Sequence, residues 1–211
     1  AKQVASNVSK DSDSIICAGS SVPFTGAPVG SNYNFRVNGG SVQNGALSTF
    51  TTSALTNGQT VDVIVTSAAG CSGTSGVITM TVNGNPVAGL TSSDGDNIIC
   101  AGTGVTFTGS GGSSYEFFVD GTSVQSGLSS TYVTSVLSGG QTVTVKVSNA
   151  AGCSTTSAGI TTVVNANPVA SLVSNDSDNI ICAGTSVTFT GAPVGTNYSF
   201  RVNGGSVQNG A

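Results

Sequence analysis

The sequence has no histidine, and its five cysteines never approach C-x-x-C spacing. These absences exclude the usual zinc and haem sites together with histidine-assisted nucleophiles. Charge is also scarce: only 7% of residues are charged, and the net charge is −4. The five cations, Lys2, Lys10, Arg36, Lys146 and Arg201, are scattered. They form no basic stripe able to neutralise a phosphate backbone, so nucleic acid is excluded as a partner. No apolar run approaches the roughly 20 residues that span a bilayer. Residue 1 is Ala rather than an initiator Met, so any secretion signal or anchor is expected outside this sequence.

What is present is Gly, Ser, Thr, Asn and Val, with Val, Ile and Thr in dense alternating runs. Such runs belong to ordered β-structure and not to a disordered chain of low charge. The remaining use for the cysteines is disulfide formation, which requires an oxidising compartment and predicts an extracellular protein.

Internal repetition decides the architecture. Ile-Ile-Cys-Ala-Gly occurs at Ile15 to Gly19, Ile98 to Gly102 and Ile180 to Gly184, and Ala-Ala-Gly-Cys ends at Cys71 and at Cys153. The period is roughly the size of a small sandwich domain, giving units at 1–84, 85–166 and a third, partial one at 167–211. Residues 1–46 match 166–211 at 37 of 46 positions, far better than either matches the middle unit. The order is therefore A-B-A, as if a two-unit block had been duplicated.

Period-2 alternation marks the strands of the middle unit. These are a first strand near Val87 to Leu90, then Val105–Thr108, a hairpin of Tyr115–Val119 with Ser123–Gln125, Thr131–Val133, Thr142–Val147 and Ile160–Val164. Asp120-Gly121, Asn38-Gly39 and Asn203-Gly204 supply the left-handed turn residues of tight hairpins. About seven short strands with no helical period predict an all-β chain of tandem immunoglobulin-like sandwiches. Tyr33, Tyr115 and Tyr198 each precede a Phe by two positions and should share its core face. The third unit stops before its last three expected strands, and half a sandwich has no opposing sheet to bury its apolar face. The natural chain is accordingly expected to continue. The junctions, Val82-Asn-Gly-Asn-Pro86 and Val164-Asn-Ala-Asn-Pro168, are too short and stiff for flexible tethers and predict a semi-rigid rod.

The strings Ile-Cys-Ala-Gly, Tyr-x-Phe-x-Val-(Asn/Asp)-Gly, Gly-Gln-Thr-Val and Gly-Cys-Ser resemble the immunoglobulin-like, polycystic-kidney-disease-like repeats of giant surface adhesins in Bacteroidetes, a class that includes gliding-motility adhesins. The resemblance covers essentially the whole chain. It implies export by the type 9 secretion system and display at the cell surface. Many related repeats carry Trp on the third strand, where this chain has Phe35, Phe117 and Phe200.

Two cysteine pairings are open. The simpler joins Cys17 to Cys71 and Cys100 to Cys153 within units, leaving Cys182 for a partner outside the sequence. Sandwich topology opposes it, because Cys17 and Cys71 should lie at opposite poles, roughly 20–30 Å apart, against a Cα limit of about 7 Å for a disulfide. The alternative, which the poles favour, links Cys17 to Cys153 across a junction and sends Cys71 to a preceding unit.

Six of the nine acidic residues recur just ahead of Ile-Ile-Cys, as Asp11 with Asp13, Asp94 with Asp96 and Asp176 with Asp178. Paired carboxylates could begin a calcium site, the single cofactor to be weighed; the alternative is loop capping by Asp, Ser and Asn. Their two-residue spacing and their recurrence in every unit do not suit a glycosidase pair. Ser14, in Asp13-Ser14-Ile15, resembles an O-glycosylation acceptor in Bacteroidetes, although the other units break the pattern.

The expectation is therefore a non-enzymatic stalk whose partners are its own neighbouring repeats, carrying a surface or glycan ligand site at a tip beyond this sequence. The alternatives are ligand-binding modules that contact glycans or cells through their loops, or accessory repeats of a secreted hydrolase.

Overall fold

The structure is a computed structural model that describes residues 5–9, 13–193 and 197–210. Every regular element among them is a strand. The first ten are β1 (Ser6–Ser9), β2 (Ile15–Cys17), β3 (Val22–Ala27), β4 (Asn32–Val37), β5 (Gly40–Gly45), β6 (Thr49–Thr52), β7 (Thr60–Thr66), β8 (Ser72–Thr74), β9 (Ile78–Thr79) and β10 (Thr81–Asn83). The same series returns as β11 (Gly89–Ser92), β12 (Ile98–Cys100), β13 (Val105–Ser110), β14 (Ser114–Val119), β15 (Thr122–Gly127), β16 (Thr131–Thr134), β17 (Thr142–Ser148), β18 (Ser154–Thr156), β19 (Ile160–Thr161) and β20 (Val163–Asn165). Four more follow: β21 (Ser171–Ser174), β22 (Phe189–Ala192), β23 (Tyr198–Val202) and β24 (Gly205–Gly210).

Eight strands of each ten-strand series fold into two facing sheets, and the remaining two, β2 with β10 and β12 with β20, pair as a separate parallel ribbon. In the first, one sheet has the order β1-β3-β6 and the other β5-β4-β7-β8, with β9 also on β7. The second series repeats this as β11-β13-β16 against β15-β14-β17-β18, with β19 on β17. Consecutive partners are antiparallel and connected in the manner of an immunoglobulin-like sandwich. The hairpins β4–β5, β14–β15 and β23–β24 turn on Asn38-Gly39, Asp120-Gly121 and Asn203-Gly204, where φ lies between 49° and 80°. Asn and Asp tolerate this left-handed region, and the two positive φ values match the strand twist.

Alternation buries one face of each sheet. Val61, Val63 and Val65 on β7, and Val143, Val145 and Val147 on β17, are fully buried. Three rings fill each core: Phe24, Phe35 and Phe50 in the first, with neighbouring centroids 6.2 and 5.7 Å apart, and Phe107, Tyr132 and Phe117 in the second, at 6.4 and 5.7 Å. Phe35 on β4 and Phe117 on β14 are thus full core residues.

The tyrosines lie beside them. Tyr33 is buried, while Tyr115 is half-buried against the core. Their hydroxyls donate to the carbonyls of Pro28 (3.3 Å) and Gly112 (2.9 Å), and Tyr198 does so to Pro193 (2.7 Å), tying down the preceding loop.

Two local differences from the alternation reading involve the chain ends of each sandwich. The first strand of the middle unit is Gly89–Ser92 rather than a strand near Val87, and Val87 is exposed. The last strand, read as Ile160–Val164, divides at the buried Thr162: β19 stays antiparallel to β17, whereas β20 crosses to lie parallel to β12. Met80 marks the same crossing between β9 and β10, and its backbone bonds to Gly58 and Gln59 at 2.9 Å.

Among the described residues of the third unit, β21 pairs only β22, and β23 only β24. Phe189 is 54% exposed where its counterpart Phe24 is fully buried. Ile180–Cys182 forms no strand. The sequence holds no segment equivalent to Thr81–Asn83 to pair with it.

Candidate functional site: the junction between sandwiches

The parallel pairing of β2 with β10 puts Cys17 opposite Asn83, at the point where the chain leaves the first sandwich. Ala18 N–H donates to Asn83 O at 2.8 Å, and the linker residue Asn85 returns a bond from Nδ2 to Ala18 O at 3.0 Å. From the other side comes the loop joining β17 to β18. There Asn149 N–H donates to Cys153 O (2.9 Å) and Gly152 N–H to Asn149 O (3.0 Å), a tight turn for which Gly152 adopts φ 81°. Asn149 Oδ1 accepts from the N–H groups of Ala151 (3.1 Å) and Cys153 (3.0 Å). Its Nδ2 then donates across the junction to Gly84 O at 2.9 Å.

Cys17 and Cys153 are bonded as a disulfide between the two sandwiches, with Cα atoms 5.5 Å apart and a sequence separation of 136. This Cα distance lies within the ordinary disulfide range. Cys153 is 1% exposed, packed against the Asn83 carbonyl.

The within-unit alternative does not form. Strand β7 pairs with β9 at its Thr60 end and with β8 at its Thr66 end. Cys71 lies beyond the latter, and Cys17, alongside Asn83, beyond the former. The full length of β7 intervenes, about 20 Å at the usual strand rise. For the same reason Cys100 and Cys153 stay apart across β17. Cys71, Cys100 and Cys182 are unbonded and exposed.

The acidic pairs serve the loop that enters β2, β12 and, in the third unit, Ile180. Asp13 Oδ1 accepts from Ile15 N–H (3.1 Å), Asp96 Oδ1 from Ile98 N–H (3.0 Å) and Asp178 Oδ1 from Ile180 N–H (3.0 Å). Asp94 Oδ1 also accepts from Ile98 N–H at 3.2 Å. The Ile98 amide, aided by a side-chain hydrogen bond with Asp94, holds the Asp96 carboxyl below the ordinary carboxylate range. Asp176 N–H is bonded to Ser174 Oγ. Asp11 lies outside the described residues. No cluster of three metal-ligating side chains occurs among the described residues. The Asp13, Asp96 and Asp178 carboxylates each cap the amide two residues on, and Asp94 that four residues on.

Ser14 takes a left-handed backbone, φ 58°, as do its counterparts Asn97 and Asn179 at 57° and 58°. Its carbonyl accepts from Thr81 N–H at 2.8 Å, opening the parallel β2–β10 pairing.

No described protein family matches the chain, and no curated protein does. Among solved structures it is similar to the fibronectin(III)-like modules of Clostridium thermocellum CbhA, at 12% identity over 71% of this chain and 89% of that one, with a TM-score of 0.40. It is also similar to murine CEACAM1b, at 9% identity over 76% of this chain and all of that one, with a TM-score of 0.36. Neither likeness bears on function.

Asn85 and Asn149 are not among the residues that motif and spacing single out. Asn85 had a signal, since an Asn precedes Pro in both junctions. Asn149 had a subtler one: it replaces Ser67 in loops otherwise alike, Ser-Ala-Ala-Gly-Cys71 and Asn-Ala-Ala-Gly-Cys153.

Proposed function

We propose that the chain is a stalk segment of a repetitive cell-surface adhesin, of the kind that includes gliding adhesins, made of units 1–84, 85–166 and 167–211 and exported to the cell surface. Its task is mechanical: each sandwich is a spacer, and each junction fixes one spacer against the next. The observation that carries this reading is the Cys17–Cys153 bond, which ties two sandwiches across a linker of only a few residues. A covalent bond there serves neither fold separately, since each has its own apolar core; it fixes their relation. Sandwich modules fit a structural or binding role, and the short Gly- and Ser-rich loops support the structural one.

The test is immunogold electron microscopy of the native cells with an antibody to residues 5–165, before and after shearing. Label strung along surface fibres is expected. Label confined to the culture supernatant, with no fibre, overturns the stalk in favour of an accessory segment of a secreted enzyme.

A further inference from the structure

The partner-free Cys100 stands in a collar that repeats that of Cys17 bond for bond. It is opposite Asn165, as Cys17 is opposite Asn83. Ala101 N–H donates to Asn165 O at 2.9 Å, and Asn167 Nδ2 to Ala101 O at 2.9 Å, matching the Ala18 and Asn85 bonds at the first junction. The complementary half is present on Cys71. Ser67 N–H donates to Cys71 O (2.8 Å) and Gly70 N–H to Ser67 O (2.9 Å), the turn that holds Cys153. Thus the bonded pair Cys17–Cys153 has an unbonded analogue on each side, one for each role. The unit beginning at 167 is of the first kind, matching it at 37 of 46 positions, and that kind carries Cys71.

We propose that Cys100 bonds the Cys71-type cysteine of a following unit, and Cys71 the Cys17-type cysteine of a preceding one, so that a disulfide crosses every junction in two alternating grades. Each bond forms by joining two thiol sulfurs. The two protons and two electrons pass to a disulfide-bearing oxidant, which leaves as the dithiol. The grades differ because the loop of Cys71 has Ser67 where the loop of Cys153 has Asn149. A serine hydroxyl is shorter than the Asn149 amide that reaches Gly84 O across the junction, so junctions closed by Cys71 lack that brace. The proposal goes beyond the stalk reading: a rod could stand with a single such bond.

The test joins residues 1–168 to residues 4–211, which keeps Asn167-Pro168 at the new junction, with Cys71→Ser in the first copy and Cys100→Ser in the second so that one Cys71 and one Cys100 remain, and maps non-reduced peptides by mass spectrometry. Each copy's Cys17–Cys153 link serves as the internal reference. The expected new link joins Cys100 of the first copy to Cys71 of the second. With the reference links intact, finding that Cys100 as a free thiol, or bonded to Cys153, overturns the proposal while leaving the stalk untouched. The alternation is read from reduction by a small thiol. The Cys100 link should open several-fold faster than Cys17–Cys153, and Ser67→Asn in the second copy should slow it towards the reference. Equal rates for the two links, with no effect of Ser67→Asn, overturn the two grades.

Discussion

Asn149 grips Gly84: the amide of one sandwich's loop donates a 2.9 Å hydrogen bond to the linker that leads into that sandwich. Because the other end of the same amide organises the turn around Cys153, one side chain both shapes the loop and seats it. Asn149→Ala removes these bonds from a half-exposed site. A loss of about 1 kcal/mol is expected, in the usual range for a net hydrogen-bond contribution, with faster hydrogen exchange at Ala151 and Cys153. Unchanged exchange at both amides would show that the backbone turn needs no such brace.

Reduction should uncouple the two sandwiches without unfolding either. In the chain-entropy picture, a loop closed over 136 residues constrains the unfolded chain by about 5 kcal/mol when both sandwiches unfold together. Urea denaturation of the oxidised chain is expected to give coincident transitions by two probes. Cys17→Ser should split them and lower the midpoint. Coincident, unshifted transitions in Cys17→Ser would mean that noncovalent contacts already couple the pair.

Gly109 is required by packing. A Cβ there would stand 2.9 Å from the Tyr115 ring and 3.3 Å from Val145, and overpacking of this kind costs about 1–3 kcal/mol. Gly104, with nothing within 4 Å and no left-handed φ, is the control: Gly104→Ala should be neutral or stabilise by about 0.4–1 kcal/mol through the unfolded chain. Thermal melts of the two variants should therefore move in opposite directions or differ by several degrees.

Much of this architecture is legible in the sequence because it rests on local rules. Asn38-Gly39 and Asp120-Gly121 demand tight hairpins, and the alternation of Thr142–Val147 shows which residues enter the core. What escaped is non-local. Ile98–Cys100 is three residues long and becomes a strand through its parallel partner Val163–Asn165; no periodicity can appear over three positions. The sheet crossing at Met80 and Thr162 leaves the alternation nearly intact. The cysteine partner was within reach of a pole-to-pole argument, whereas the grip of Asn149 depends on two loops meeting across a junction, which no single repeat encodes.

Two cross-strand ion pairs differ in worth. Arg36 meets Asp62 through two bonds, of 2.8 and 2.6 Å, with the side chains 26% and 12% exposed. Lys146 and Glu116 are 3.8 Å apart and more exposed. A double-mutant cycle should give about 1 kcal/mol for the bidentate pair and a few tenths at most for the other. Comparable couplings would indicate that solvent screens both alike.

Asp96, held below the ordinary carboxylate range chiefly by the Ile98 amide, should couple its loop to acid. A group whose pKa falls on folding contributes stability above its unfolded pKa, near 3.9, and that contribution disappears as pH drops through the lower folded value. Exchange at Ile98 N–H, referenced to the intrinsic acid dependence, should rise over that interval and be insensitive to it in Asp96→Asn. A melting temperature that responds to calcium and reverses with chelator would instead give the Asp94 and Asp96 carboxylates a metal-binding role.

The disulfide also sets how far the chain can be drawn out. Residues between Cys17 and Cys153 sit inside a closed covalent loop. Pulled from its two termini, the oxidised chain keeps that span out of the tension-bearing contour even when both sandwiches rupture. At about 3.4 Å per residue, roughly 450 Å of slack stays locked until a reductant cuts the bond, so redox state and not fold stability sets the maximum extension of this segment under load.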